Sequence, residues 1–131
     1  MASTPSGRPL LLLVDDDEDS RFLYAHYLTS VAGFEIAEAA DGQEGVTKAA
    51  ELTPDVIVMD LTLPVLDGWA ALHALRQSER TRAIPVVALT GHSIAKNAAS
   101  EHGDSFDAVL VKPCLPEQLA KQCLAIVKRG P

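Results

Sequence analysis

The sequence has no apolar run approaching the roughly 20 residues that a membrane-spanning helix needs. Leu10–Val14 is also too short to be the apolar core of a signal peptide, and the residues before it are rich in Ser, Thr, Pro and Gly. Residues 1–8 therefore read as a flexible leader ahead of one domain covering 9–131. Positive charge is scarce: 11 Lys and Arg stand against 18 Asp and Glu, for a net charge of −7. Direct nucleic-acid binding wants a basic face, so that class is set aside, whereas a protein partner is not. Cysteine is scarce as well. Cys114 and Cys123 are the only two, with no CxxC and no histidine pair at metal-ligand spacing. They read as reduced, partly buried thiols of a cytoplasmic protein.

What is present is an ordinary globular balance, 47% hydrophobic and 22% charged, in a chain of 131 residues long enough for a real core. The central stretch is Val56-Ile57-Val58-Met59-Asp60, a short unbroken apolar run between Pro54-Asp55 and the loop signals Pro64 and Asp67-Gly68. Such a run fits a strand buried on both faces, as in a parallel sheet. Leu10–Val14 is a second run of the same kind. It leads into Asp15, Asp16 and Asp17, and the carboxylates that follow favour a helix start. Leu23, Tyr24, Tyr27, Leu28 and Val31 recur at helical spacing and predict one apolar face. Gly33 ends that helix, and Phe34–Ala40 alternates like a less buried, edge strand. A helix over Gln43–Leu52 precedes the central strand, and another, carrying Trp69, Leu72 and Leu75, follows it. Pro85–Leu89 predicts a fourth strand ending in Thr90-Gly91, Ser93–Glu101 a weakly patterned helix, Phe106–Val111 a fifth strand and Pro116 onward the last helix. Strand and helix thus alternate five times with no internal repeat, which predicts a five-stranded parallel sheet with five helices on its two faces.

The chemistry gathers at strand ends. The first strand gives Asp15 and Asp16, the third Asp60, the fourth Thr90 and the fifth Lys112. Parallel strands bring these ends to one edge, where ligands bind in open α/β sheets. Three adjacent carboxylates repel one another unless they share a cation. Mg²⁺ suits oxygen-only sites and leaves room for phosphate oxygens, while a hydroxyl and an ammonium suit the other phosphoryl oxygens. The set reads as a phosphoryl-transfer site with an aspartate nucleophile.

Four pieces in order, Leu12-Leu13-Val14-Asp15-Asp16-Asp17, Met59-Asp60 with Pro64 and Asp67-Gly68, Ala88-Leu89-Thr90-Gly91, and Val111-Lys112-Pro113, make the chain resemble the receiver domain of two-component response regulators. The resemblance runs from Pro9 to about Arg129. It implies a flavodoxin-like, doubly wound sheet with strand order 2-1-3-4-5. It implies Asp60 as phosphoacceptor, Asp16 and Asp60 as direct Mg²⁺ ligands with Asp15 acting through a bound water and Thr62 offering its backbone carbonyl, and Lys112 as neutraliser of a phosphoryl oxygen, followed by a cis bond to Pro113. Thr90 would be the switching hydroxyl, and Thr62 and His92 would tune the lifetime of the phosphate. The phosphoryl group would come from a histidine kinase or histidine phosphotransfer protein, with self-catalysed transfer, and the signal would pass to a downstream protein effector.

The chain departs from the family at Val109, where an aromatic switch residue is usual three positions before the lysine. Two other functions compete. A haloacid-dehalogenase-type phosphatase needs a second aspartate two residues after the nucleophile, where this chain has Thr62. A degenerate receiver used only for docking would not need the intact set of Asp15, Asp16, Asp60, Thr90 and Lys112.

Overall fold

The computed structural model describes residues 7–61, 68–91 and 106–129. Among them the chain runs β1 (Leu10–Val14), α1 (Glu18–Ser30), β2 (Glu35–Ala39), α2 (Gly42–Leu52), β3 (Val56–Asp60), α3 (Gly68–Arg76), β4 (Val86–Thr90), β5 (Ala108–Val111) and α4 (Pro116–Arg129). The strands form one sheet in the order β2-β1-β3-β4-β5, and every neighbouring pair is parallel. The sequence-predicted helix over Ser93–Glu101 lies outside the described residues.

The sheet is buried because its central strands carry apolar side chains on both faces. Successive residues of a strand point to opposite sides. Leu11, Leu13, Val56 and Val58 accordingly join Leu28 of α1 and Leu119 of α4 in one core layer. Leu12, Val14, Ile57 and Met59 join Ala49 of α2 and Leu72 of α3 in the other. All five residues of β3 and of β4 are buried. The outer strand β2 is only half-buried along most of its length, as its alternating pattern predicts. Phe34 is buried just ahead of β2 rather than inside it, and Ala40 lies beyond its end, exposed.

Helix α1 corrects one expectation. Of the five residues assigned to its apolar face, Tyr24 and Leu28 are buried, whereas Leu23 and Val31 stand open to solvent at 56% and 66% exposure. The helix packs against α4, β2 and β1 through Tyr24 and Leu28, four apart on one face, and the rest of the stripe stays outside the core. The chain then turns at Gly33, whose φ of 81° is a left-handed conformation open to glycine. Both cysteines are free, Cys123 buried in the first core layer and Cys114 half-buried beside it. Burial, with Cys114 nearby, pushes the Cys123 thiol up to about 12, so it behaves as a small apolar group.

The correction to α1 has a measurable consequence. Leu28→Ala is expected to cost about 2–5 kcal/mol, because it opens a cavity in the core. Leu23→Ala, at an exposed site, is expected to change stability by less than about 0.5 kcal/mol. Urea unfolding of the two variants checks the contrast.

Candidate functional site

The carboxyl edge of the sheet is locked by bonds that continue the ladder past the strand ends. Asp15 N donates to Ala39 O at 3.0 Å, Leu61 N to Leu89 O at 3.0 Å and Lys112 N to Thr90 O at 2.7 Å. The residues that bear charge are thus held by backbone, not only by their side chains. Alternation then aims them. Asp15, Asp60 and Lys112 each lie two residues beyond Leu13, Val58 and Leu110, which belong to the layer under α1 and α4. Thr90, the last residue of β4, is buried and follows the other alternation, with Val86.

One carboxylate oxygen from each of Asp15, Asp16 and Asp60 falls within 4.8 Å of the other two. Lys112 Nζ lies 2.8 Å from Asp60 Oδ2 and forms an ion pair with a nearly buried carboxylate. Asp15 is fully buried. Its Oδ1 accepts a hydrogen bond from Asp17 N at 2.9 Å. Its Oδ2 is, among the described residues, the one buried side-chain oxygen or nitrogen with no partner. A buried acceptor left open in this way carries a desolvation cost.

The electrostatics follow from this crowding. Burial above all raises the pKa of Asp15, and the charges of Asp60 and Asp16 add to the rise, while the Asp17 amide and Lys112 oppose it. For Lys112, burial pulls the ammonium down, but the hydrogen bond and charge of Asp60, with Asp15, outweigh it and leave the pKa raised. Among the described residues, Lys112 sets a single positive charge beside the carboxylates of Asp15, Asp16 and Asp60.

Gly45 and Arg21 help hold the site without a signal of their own in the sequence, and Gly68, read there as part of a loop signal, does so by close approach. Gly68 opens α3 so close to the site strand that a Cβ there would come within 2.9 Å of Asp60 O and of Leu61 Cα. A Cβ at Gly45 of α2 would sit 2.9 Å from Val14, the residue before Asp15. Arg21 Nη1 donates to Asp15 O at 2.7 Å while its Nε pairs with Glu38 at 3.0 Å. A helical glycine reads as a weak helix position until the strand behind it is known. Asp17, Glu18 and Asp19 are exposed, as a solvated helix start should be, and Ser20 donates to Asp17.

Val109 lies in β5 opposite Ala88, half-buried. The Lys112–Pro113 bond is cis. Trp69 is half-buried and packs edge-on against Phe106 at 4.8 Å between ring centroids, in the second core layer. Thr62 and His92 lie outside the described residues. Among those described, no helix is long and apolar enough to cross a membrane.

The response regulator receiver domain family matches residues 11–124 of the chain. The DNA-binding dual master transcriptional regulator RpaA of Synechocystis is 34% identical over 121 residues, which are 92% of this chain and 50% of that protein. The transcriptional regulatory protein PrrA of Mycobacterium tuberculosis is 36% identical over 121 residues, 92% of this chain and 51% of the relative. The chain thus spans about half the length of these curated relatives. Among solved structures, the receiver domain of a sensor histidine kinase from Pseudomonas aeruginosa, with a magnesium ion coordinated in its active site cleft, superposes with a TM-score of 0.83 at 28% identity. The match covers 92% of this chain and 98% of that one. The chemotaxis response regulator CheY4 of Vibrio cholerae gives a TM-score of 0.83 at 31% identity, covering 91% and 98% of the two chains.

The raised pKa of Asp15 makes a pH prediction. Folding favours its protonated form, so its contribution to stability is full below its ordinary value of 3.8 and is lost as pH rises through the folded value. At neutral pH without metal, Asp15→Asn is therefore expected to raise the melting temperature by roughly 2–6 °C, the shift that ~1 kcal/mol produces in a domain of this size. The advantage should shrink as pH falls through the folded value, where wild-type Asp15 takes up its own proton. Thermal melts in chelator across that range check both the sign and the slope.

Proposed function

The chain belongs to the response regulator receiver domain family of two-component signalling, and on that premise we propose that it takes up a phosphoryl group on Asp60 and passes the change on as a conformational signal. The observation that carries the reading is the pairing of Asp60 with Lys112 at 2.8 Å beside the carboxylates of Asp15 and Asp16.

The residues fit a divalent cation. Their donors are all carboxylate oxygens, they converge within 4.8 Å, and Asp15 Oδ2 is a buried acceptor with an open valence. Asp15, Asp16 and Asp60 would hold Mg²⁺, and the carbonyl of Thr62 would complete the protein's share. Bound there, the ion supplies charge neutralisation to phosphoryl oxygens that meet the carboxylates.

The chain's own residues account for the rest. A carboxylate oxygen of Asp60 forms the new bond to phosphorus, and the bond from phosphorus to the donor breaks, its electron pair leaving with the donor. With a phosphohistidine the leaving group is the imidazole and the product is an acyl phosphate. Lys112 follows the charge from the Asp60 carboxylate to a phosphoryl oxygen. Neutralising a group that becomes more anionic is where a fixed ammonium contributes most. Burial of Asp60 at 3% exposure keeps water from competing for the carboxylate. The donor is a histidine kinase or histidine phosphotransfer protein. The transfer is catalysed by the receiver on itself, so the chain is not an enzyme acting on a separate pool of substrate.

Thr90 is the hydroxyl proposed to hydrogen-bond the phosphoryl group. Valine at 109 offers little area to exchange between exposed and buried states, and its χ1 is stiff. The signal then runs through Thr90 and the segment that follows it, where His92 and Thr62 of the neighbouring loop would set how long the phosphate lasts. A downstream protein receives the change. The docking-only alternative has no use for a lysine paired with a buried aspartate, and the phosphatase alternative lacks the second aspartate at Thr62.

Acetyl phosphate with Mg²⁺ should add one phosphoryl group, read by intact mass, and Asp60→Asn should take none. Lys112→Ala should cut the labelling rate by roughly 10²-fold or more, the scale for losing one preorganised charge contact. Full labelling of Asp60→Asn, or of wild type in excess chelator, would rule the proposal out.

A further inference from the structure

Lys112 can serve the site only if its ammonium is kept at a fixed separation from carboxylates that belong to other strands. The backbone around it is pinned at three points. Lys112 N donates to Thr90 O at 2.7 Å, and Leu115 N donates to Gln118 Oε1 at 2.9 Å. Between them, the hydroxyl of Tyr24 donates to Cys114 O at 2.7 Å, across 90 residues of sequence. The first bond belongs to the β4–β5 ladder and the second to the start of α4. The Tyr24 bond is of another kind, because it comes from α1.

Helix α1 is also the element attached to the acidic side. Its cap residue Asp17 donates its backbone N–H to Asp15 Oδ1, and its Arg21 donates to Asp15 O. Tyr24 lies one turn beyond Arg21. Its ring is buried in the core layer with Leu119 and Cys123 of α4, and is 7% exposed. Burial first, then neighbouring Cys114, raises the phenol's pKa, so at neutral pH it keeps the proton it donates. The charges of Lys112, Asp15 and Asp60 also bear on it.

We propose that Tyr24 is a positioning residue for phosphoryl transfer: its hydroxyl, by holding the carbonyl of Cys114, ties the loop of Lys112 to the helix that carries the Asp15 turn and so fixes the lysine against the carboxylates. The inference rests on the reading of Asp60 and Lys112 given above. A buried tyrosine would also serve the core as a phenylalanine, since the ring supplies the apolar area. The hydroxyl is the part that reaches the loop. Losing it leaves the ladder and the α4 start intact but frees the loop to shift, and shifts of about 1 Å at a reacting centre can cost up to 10²-fold in rate.

The experiment compares wild type, Tyr24→Phe and Cys123→Ala, a truncation in the same core layer that leaves both groups of the Tyr24–Cys114 bond in place. Labelling by acetyl phosphate is followed by mass, Mg²⁺ affinity by calorimetry, and the Cys114 carbonyl by ¹³C NMR on metal-free protein. Tyr24→Phe is expected to label roughly 3- to 30-fold more slowly. Its Mg²⁺ affinity should stay within about twofold of wild type, because the carboxylates are untouched. The Cys114 carbonyl should move upfield as it loses its donor. Cys123→Ala should lose stability yet label at the wild-type rate. Equal labelling by Tyr24→Phe and wild type would overturn the inference, as would a parallel loss of Mg²⁺ affinity or an equal slowing in Cys123→Ala. An unlabelled wild type would instead overturn the reading of Asp60, and the inference with it.

Discussion

A parallel sheet collects the ends of all its strands on one edge, and in this chain that geometry forces like charges together. Asp15, Asp16 and Asp60 would each be unremarkable alone. Brought within 4.8 Å, with Asp15 and Asp60 out of water, they repel in a setting where water screens them poorly. Lys112 relieves part of this by pairing with Asp60, and Asp17 N–H relieves one oxygen of Asp15. The other oxygen of Asp15 has no partner among the described residues. On the function proposed above, a divalent cation and a phosphoryl group are the charges that such an edge would take up, and backbone contacts hold the edge in place.

The ladder bonds at Asp15, Leu61 and Lys112 extend the sheet to the reactive residues themselves. Glycines at 45 and 68 let α2 and α3 lie against Val14 and against the Asp60–Leu61 backbone, closer than any Cβ allows. A side chain at 68 would meet backbone at the end of β3, and one at 45 would meet the Val14 side chain, so either would force a shift beside the site. Functional geometry here depends on residues that touch no reactant, which is the common condition of a preorganised site.

Much of this is legible in the sequence because two simple codes agree. Unbroken apolar runs of four or five residues mark β1, β3 and β4 as strands buried on both faces, and a polar residue directly after each run marks the edge. Together with the fifth strand, these codes are enough to put Asp15, Asp60, Thr90 and Lys112 on one side of a sheet. Periodicity is a poorer guide to α1, where Leu23 and Val31 share the spacing of Tyr24 and Leu28 but face solvent. Spacing reports what a helix could bury, and the neighbours it packs against decide what it does bury. Alternation alone makes Phe34 the first residue of β2, yet it packs ahead of the strand, a boundary shift of the kind that a buried aromatic invites. Long-range contacts are invisible to either code: nothing near Tyr24 points to Cys114, and Arg21 looks like any charged residue of a helix surface.

On the function proposed above, the carboxylates of Asp15, Asp16 and Asp60 outnumber the positive charge of Lys112 and a divalent cation supplies the difference. Thermal unfolding of wild-type protein at neutral pH, stripped of metal and then titrated with MgCl₂, tests this most directly. The melting temperature is expected to climb with the logarithm of Mg²⁺ concentration once the site begins to fill, and the response to be lost in a variant carrying Asp15→Asn and Asp60→Asn together. A melting temperature indifferent to Mg²⁺, or one that rises equally in the double variant, would contradict it.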